Sequence, residues 1–299
     1  MNPQTTPNPQ TTPMNQPQIL TRSCDATRAI MDLKRAGKRI GLIPTMGALH
    51  EGHLSLVRAA RETCDVVAAS IFVNPTQFGP TEDLDQYPRT FEQDLRALAE
   101  LGVELVYHPS SEEIYPPGFS TFVVPPRVAN DLEGQCRPGH FRGVATVVLK
   151  LFQILPADVA FFGRKDYQQC LVVKEMVRDL QVPIQIQICP TIREQDGLAM
   201  SSRNRYLQSQ ERSRALAISE SLQEAMSDYQ AGERDPTILE LRAKEKLAAA
   251  GIDHVDYVAV RCATTLEPLS RPDQPAVMLI AVKVGTTRLI DNQLLTAQD

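Results

Sequence analysis

No apolar run in this chain approaches the roughly 20 residues that span a bilayer, so no membrane helix is expected. The N-terminus lacks the charged segment and apolar core of a secretory signal, which leaves a cytoplasmic location as the expectation. A basic excess is missing too: 31 Lys and Arg stand against 36 Asp and Glu, a net charge of −5. Phosphate-backbone binders carry a basic excess or stripe, so no nucleic-acid partner is expected, although a local basic pocket for a nucleotide stays compatible. Six cysteines (Cys24, Cys64, Cys136, Cys170, Cys189 and Cys262) are scattered, with no Cys-x-x-Cys pair and no His at zinc-ligand spacing. That excludes the common zinc frameworks and points to free thiols. A Gly-x-x-x-x-Gly-Lys-Ser/Thr segment is also missing, which excludes P-loop chemistry. Charge itself is missing before Arg22, where Asn2-Pro3-Gln4-Thr5-Thr6-Pro7 is repeated as residues 8–13. Residues 1–18 are expected to form a disordered tail, because they hold too little apolar surface to offset the entropy of ordering.

What is present fits a globular protein: 299 residues, 42% of them hydrophobic, enough for one large or two moderate domains. Short apolar runs predict strands at 40–43, 66–73, 103–107, 159–162 and 184–188. Amphipathic stretches predict helices near 26–36, 54–63, 91–101, 144–155 and 168–179. Several of the strands are nearly continuous Val/Ile/Ala/Phe, as strands buried on both faces should be. The alternation implies an α/β fold, a Rossmann-like doubly wound parallel sheet over residues 19–190, with ligands at the carboxyl ends of its strands. After Pro190 the texture changes. Longer helical patterns at 209–230 and 236–250 precede strand-like runs at 255–260, 276–284 and 288–290, which implies a second, smaller α+β domain over residues 191–299.

Five segments carry chemistry. Thr45-Met46-Gly47-Ala48-Leu49-His50-Glu51-Gly52-His53 follows an apolar strand, and glycines at a strand-to-helix junction let backbone N–H groups and a positive helix end approach a phosphate. Asn74-Pro75-Thr76-Gln77 follows the second strand and offers amides to a small polar substrate; an Asn-Pro turn is the plainer reading of that segment alone. Gly134-Gln135-Cys136-Arg137-Pro138-Gly139-His140 is a loop that suits an anion clamp or an ordinary helix entry. Gly163-Arg164-Lys165-Asp166-Tyr167-Gln168-Gln169 places a lysine for phosphate oxygens, an aspartate for a helix cap or a ribose hydroxyl, and Gln169 on the first helical turn. Asp196-Gly197-Leu198-Ala199-Met200-Ser201-Ser202-Arg203-Asn204 supplies two hydroxyls and a guanidinium for a triphosphate.

Together with Tyr87-Pro88-Arg89-Thr90, these segments resemble the pantoate–β-alanine ligase (pantothenate synthetase) family of the class I synthetase-like nucleotidylyltransferases, from Ile19 to the C-terminus. The resemblance implies an ATP-dependent ligase that condenses (R)-pantoate with β-alanine through a pantoyl adenylate, releasing AMP and pyrophosphate in coenzyme A biosynthesis. It implies ATP contacts from Met46, Gly47, Ala48, Leu49, His50, Glu51, Gly52, His53, Gly163, Arg164, Lys165, Asp166, Ile192, Met200, Ser201, Ser202 and Arg203. The implied catalytic set is His53 as proton donor with His50, Lys165, Ser201, Ser202 and Arg203. Gln77 and Gln169 are implied for pantoate and Gln77 for β-alanine, with Asn74, Tyr87 and Arg137 around the pocket. Mg²⁺ held mainly by ATP oxygens and a homodimer are implied as well. Arg164 stands where an acidic residue is the more frequent. Two other readings are a nucleotidylyltransferase that stops after nucleotide transfer, disfavoured by the Asn74–Gln77 segment, and a non-catalytic nucleotide-binding module, which would need neither both histidines nor the Ser-Ser-Arg loop.

Overall fold

The computed structural model describes residues 16–80, 82–269 and 273–297. The repeated tail therefore lies outside the described residues up to position 15, but Gln18, expected in that tail, begins a strand instead. β1 (Gln18–Leu20) pairs in parallel with β4 (Leu105–Tyr107), placing Gln18 opposite Leu105. Between them run α1 (Ser23–Arg35), β2 (Ile40–Thr45), α2 (Glu51–Thr63), β3 (Val66–Ile71) and α3 (Phe91–Glu100). After β4 come two single-turn helices, α4 (Ser111–Ile114) and α5 (Glu133–Cys136), then α6 (His140–Ile154), β5 (Val159–Gly163), α7 (Tyr167–Asp179) and β6 (Gln185–Cys189).

The six strands form one parallel sheet in the order β1-β4-β3-β2-β5-β6. Setting the edge strand aside, this is a doubly wound arrangement whose order reverses between β2 and β5, the point where such sheets open a crevice. The opening has a local cause. β2 pairs with β3 along its whole length but with β5 only at Gly41 and Leu42, and Pro44, which has no N–H to give a ladder, lies in the stretch that β5 leaves. At Gly41 a side chain would meet Phe161 and Ala60 at 3.2 Å, so the close approach of α2 and β5 to β2 needs the glycine.

The remaining chain forms α8 (Ser209–Gln230), α9 (Pro236–Ala249) and an antiparallel sheet of β7 (His254–Cys262), β8 (Ala276–Val284) and β9 (Thr287–Leu295). β8 reads as one apolar run because both of its faces are covered. Val277 and Leu279 join Ala259 in the core shared with the parallel sheet, while Met278, Ile280 and Val282 pack with Ile218, Leu222, Leu239 and Leu247 of α8 and α9. Burial of each such Leu or Ile side chain contributes roughly 1.5–3 kcal/mol, so the small sheet is cemented on both sides. No helix among the described residues is long and apolar enough to cross a membrane.

Candidate active site

A cavity of about 1010 Å³ opens at the carboxyl ends of β2 and β5 and runs to the edge of the antiparallel sheet. Met46, His50, Gly52 and His53 border it after β2, and Asn74 and Gln77 after β3. Gly163 ends β5, Lys165, Asp166 and Gln169 follow it, and Ile192 and residues 200–203 follow β6. Tyr87 and Arg137 also line it. Gly47, Ala48, Leu49, Glu51 and Arg164, also expected to contact ATP, are not among the residues that line it.

The turn after β2 departs from expectation in an informative way. The glycine junction is expected to offer free N–H groups to phosphate, yet Ala48 N–H and Leu49 N–H donate to the two carboxylate oxygens of Asp94 at 2.9 and 2.8 Å, and Gly47 N–H donates to Thr45 Oγ1 at 3.2 Å. What faces the cavity is the histidine pair. His50 caps α2, its Nδ1 accepting from Gly52 N–H at 3.1 Å, and His53 Nδ1 accepts from His50 N–H at 3.3 Å. A ring nitrogen that accepts a backbone N–H carries a lone pair, so both imidazoles bear their proton on Nε2. Burial, reinforced by Lys165, holds His50 down to about 4; burial, His50 and Lys165 hold His53 down to about 3. Both are neutral hydrogen-bond donors at pH 7.

The cationic side is arranged differently. Lys165 Nζ lies 3.5 Å from Asp166 Oδ1, and Asp166 sits at the N-cap position of α7 without making a cap hydrogen bond. Asn292 of β9 donates its Nδ2 to the carbonyls of Arg164 and Lys165 at 3.0 and 2.8 Å, and its buried Oδ1 has no hydrogen-bond partner among the described residues. Ser201 caps a short 3₁₀ turn, accepting from Arg203 N–H, and Ser202 Oγ donates to Tyr87 OH at 3.5 Å. The Arg203 guanidinium is held by Asp83, with Nε to Oδ2 at 2.9 Å and Nη2 to Oδ1 at 2.8 Å. Burial pushes Asp83 upward, but this bidentate pair outweighs it and keeps the carboxyl below its ordinary value. Ile192 C=O accepts from Met200 N–H at 3.0 Å, which ties the two segments after β6 together.

On the third side, Asn74 is 1% exposed and organises the amides. Its Oδ1 accepts from Tyr115 OH at 2.8 Å and Thr76 Oγ1 at 3.0 Å, so its Nδ2 is free to donate to Gln77 Oε1 at 3.0 Å. Gln77 Nε2 is then left facing Met46 Sδ at 3.4 Å, a weak acceptor that a better one would displace. Arg137 forks onto Glu82 at 2.7 and 2.6 Å and approaches His140 Nε2 at 3.1 Å, while His140 Nδ1 donates to Gln77 C=O at 2.9 Å. Burial and Arg137 hold His140 down to about 4, neutral like the other two.

Sequence reasoning missed Asp94, Tyr115, Asn292 and the acidic partners Glu82 and Asp83. It also missed Glu133, which receives Arg288 at 2.7 and 2.6 Å and Tyr257 OH at 2.7 Å and joins α5 to the antiparallel sheet. An acidic residue in the first turn of α3 was visible, but dipole compensation explains it equally well.

The family model described as pantoate-beta-alanine ligase matches residues 18–294. The chain is 51% identical over 280 residues to pantothenate synthetase 1 of Bradyrhizobium diazoefficiens, covering 93% of this chain and 98% of that protein. A crystal structure of pantothenate synthetase from Thermus thermophilus superposes with a TM-score of 0.88 at 42% identity, covering 93% of this chain and 99% of that one. The Francisella tularensis pantoate-beta-alanine ligase complexed with beta-gamma ATP and beta-alanine superposes with a TM-score of 0.77 at 36% identity, covering 93% and 97%.

Proposed function

The chain belongs to the pantoate–β-alanine ligase family, and from that premise we propose how its own residues make pantothenate from pantoate, β-alanine and ATP. A carboxylate is a poor acyl electrophile, and adenylation gives it a leaving group. The pantoate carboxylate attacks the α-phosphorus of ATP, the bond to the bridging oxygen breaks and pyrophosphate departs. The β-alanine amine then attacks the acyl carbon, the bond to the phosphate oxygen breaks, AMP leaves and the nitrogen loses a proton.

The observation that carries this reading is the convergence of His50, His53, Lys165, Ser201, Ser202 and Arg203 on one cavity with Gln77 and Gln169. His50 and His53 serve as neutral Nε2–H donors to phosphate oxygens; a proton held only below about 3 on His53 suits hydrogen bonding better than proton transfer. Lys165 and Arg203 counter the charge that grows on the departing pyrophosphate, and Ser201 and Ser202 donate to its oxygens. The main chain around Ile192 borders the adenine. Gln77 and Gln169 hold the hydroxyls and carboxylate of pantoate, with Gln77 beside β-alanine. Asn74, Tyr87 and Arg137 complete the pocket wall and hold Gln77, Ser202 and Glu82 through the contacts described. Mg²⁺ enters with the nucleotide substrate, held mainly by phosphate oxygens and water, as this hard, strongly hydrated ion commonly is. A homodimer and a cytoplasmic location belong to the same proposal, the first measurable by light scattering.

The direct test incubates the protein with ATP, Mg²⁺ and pantoate, then adds β-alanine. Pantothenate and AMP are expected in equal amounts; AMP without pantothenate, or turnover without pantoate, contradicts the reading.

A further inference from the structure

We propose that Asp94 is a positioning residue for ATP, its buried carboxylate holding the turn at residues 46–49 in the form from which His50 and His53 present their Nε2–H groups; this rests on the function proposed above. Asp94 is 2% exposed, and among the described residues no Lys, Arg or His side chain lies within ion-pairing distance of it. A carboxylate so placed is costly unless donors satisfy it. Three do: Ala48 N–H, Leu49 N–H and Thr90 Oγ1, the last at 3.1 Å, with the first turn of α3 adding a favourable dipole.

The turn needs an external clamp. Gly47 and Ala48 adopt φ of +82° and +52°, and for Ala48 the left-handed region is unfavourable without compensation. A Cβ at Gly47 would stand 3.1 Å from Asp94 Oδ2 and 3.1 Å from Ile71 Cγ2, so the carboxylate reaches the backbone only because glycine is there. Immediately after the two clamped amides comes His50, whose Nδ1 caps α2 and whose own N–H orients His53. The register runs without a break from Asp94, through Ala48 and Leu49, to the tautomers of both imidazoles. Asp94 itself does not line the cavity; it acts through the histidines.

Asp94→Asn keeps the size of the side chain but turns an NH₂ group toward an N–H donor. The expected result is a roughly 10–100-fold rise in the dissociation constant for ATP, measured by calorimetry, as befits one buried donor left unsatisfied. The KM for pantoate should change by less than about twofold. In ¹H–¹⁵N correlation spectra the His50 and His53 rings should pass from a single Nε2–H tautomer in the wild type to a mixture. Unchanged ATP affinity with unchanged tautomers in a folded variant overturns the proposal, as does an equal loss toward all three substrates with a lowered melting temperature. Should Asp94→Asn fail to fold, Thr90→Val, which removes only one brace of the carboxylate, carries the test: ATP affinity should fall by about three- to tenfold, and an unchanged affinity overturns the proposal. Binding and ring signals are read without turnover, so failure of the wild type to form pantothenate would sink the proposed function separately.

Discussion

The histidine turn after β2 and the loop at residues 200–203 both border the cavity, yet they hold their donors in different ways. His50 and His53 each have Nδ1 closed into a backbone contact, carry no charge and need no rearrangement to donate from Nε2. Arg203 is charged and already engaged with Asp83 through Nε and Nη2, so under the proposed function a triphosphate competes with that carboxylate for the guanidinium. The first wall is preorganised, which makes a donor effective because nothing must reorient as charge develops. The second is an exchange site, and it couples the segment bearing Glu82, Asp83 and Tyr87 to whatever anion arrives.

If the contrast is sound, its largest consequence is on the preorganised side. His53→Ala should lower kcat/KM by about 10²–10³-fold in steady-state assays, as loss of one fixed donor to developing charge does; near-normal turnover would remove the histidine wall from the chemistry. Next in size is Gly47→Ala, which forces a Cβ against Asp94 and Ile71 at positive φ and should cost about 1–3 kcal/mol in denaturant unfolding. A wild-type midpoint would mean that the turn is not held as described. The exchange side should respond with the opposite sign: Asp83→Asn weakens the grip on Arg203 and should lower the KM for ATP by roughly threefold or more, whereas a raised KM would make Asp83 part of the ATP site. The smallest effect is in pH. His50 and His53 have folded values of about 4 and about 3, below the ordinary 6.5, so the folded state binds fewer protons than the unfolded chain between those limits. Their contribution to stability is full above 6.5 and is lost as pH falls through about 4 and about 3. ATP affinity should accordingly show no acid inflection near 6.5; one there would mean that a histidine on this wall titrates normally.

How much of this was visible in the sequence depends on the range of the contacts involved. α8 and β8 occupy the expected residues 209–230 and 276–284, because an amphipathic or continuous apolar pattern is a local signal. β9 was expected only at 288–290 but spans Thr287–Leu295; Asp291 and Asn292 interrupt its apolar run because they face Arg193 and the chain after β5. β1 escaped notice, being three residues at the end of a polar tail and defined by its pairing with β4. The cavity-lining histidines and the Ser-Ser-Arg triplet were legible as motifs, since each group sits together in the chain. Their supports were not: Asp94 lies 46 positions from Ala48, Asp83 lies 120 from Arg203, and Glu133 lies 155 from Arg288. Such contacts leave no periodicity, and only the fold brings them together.

The central claim is that the cavity activates pantoate as an acyl adenylate, and the fate of oxygen tests it most directly. With pantoate labelled by ¹⁸O in both carboxylate oxygens, turnover with ATP and β-alanine should deliver one labelled oxygen to AMP and leave the other in the amide of pantothenate. AMP free of label, or label in pyrophosphate, would contradict attack by the pantoate carboxylate on the α-phosphorus.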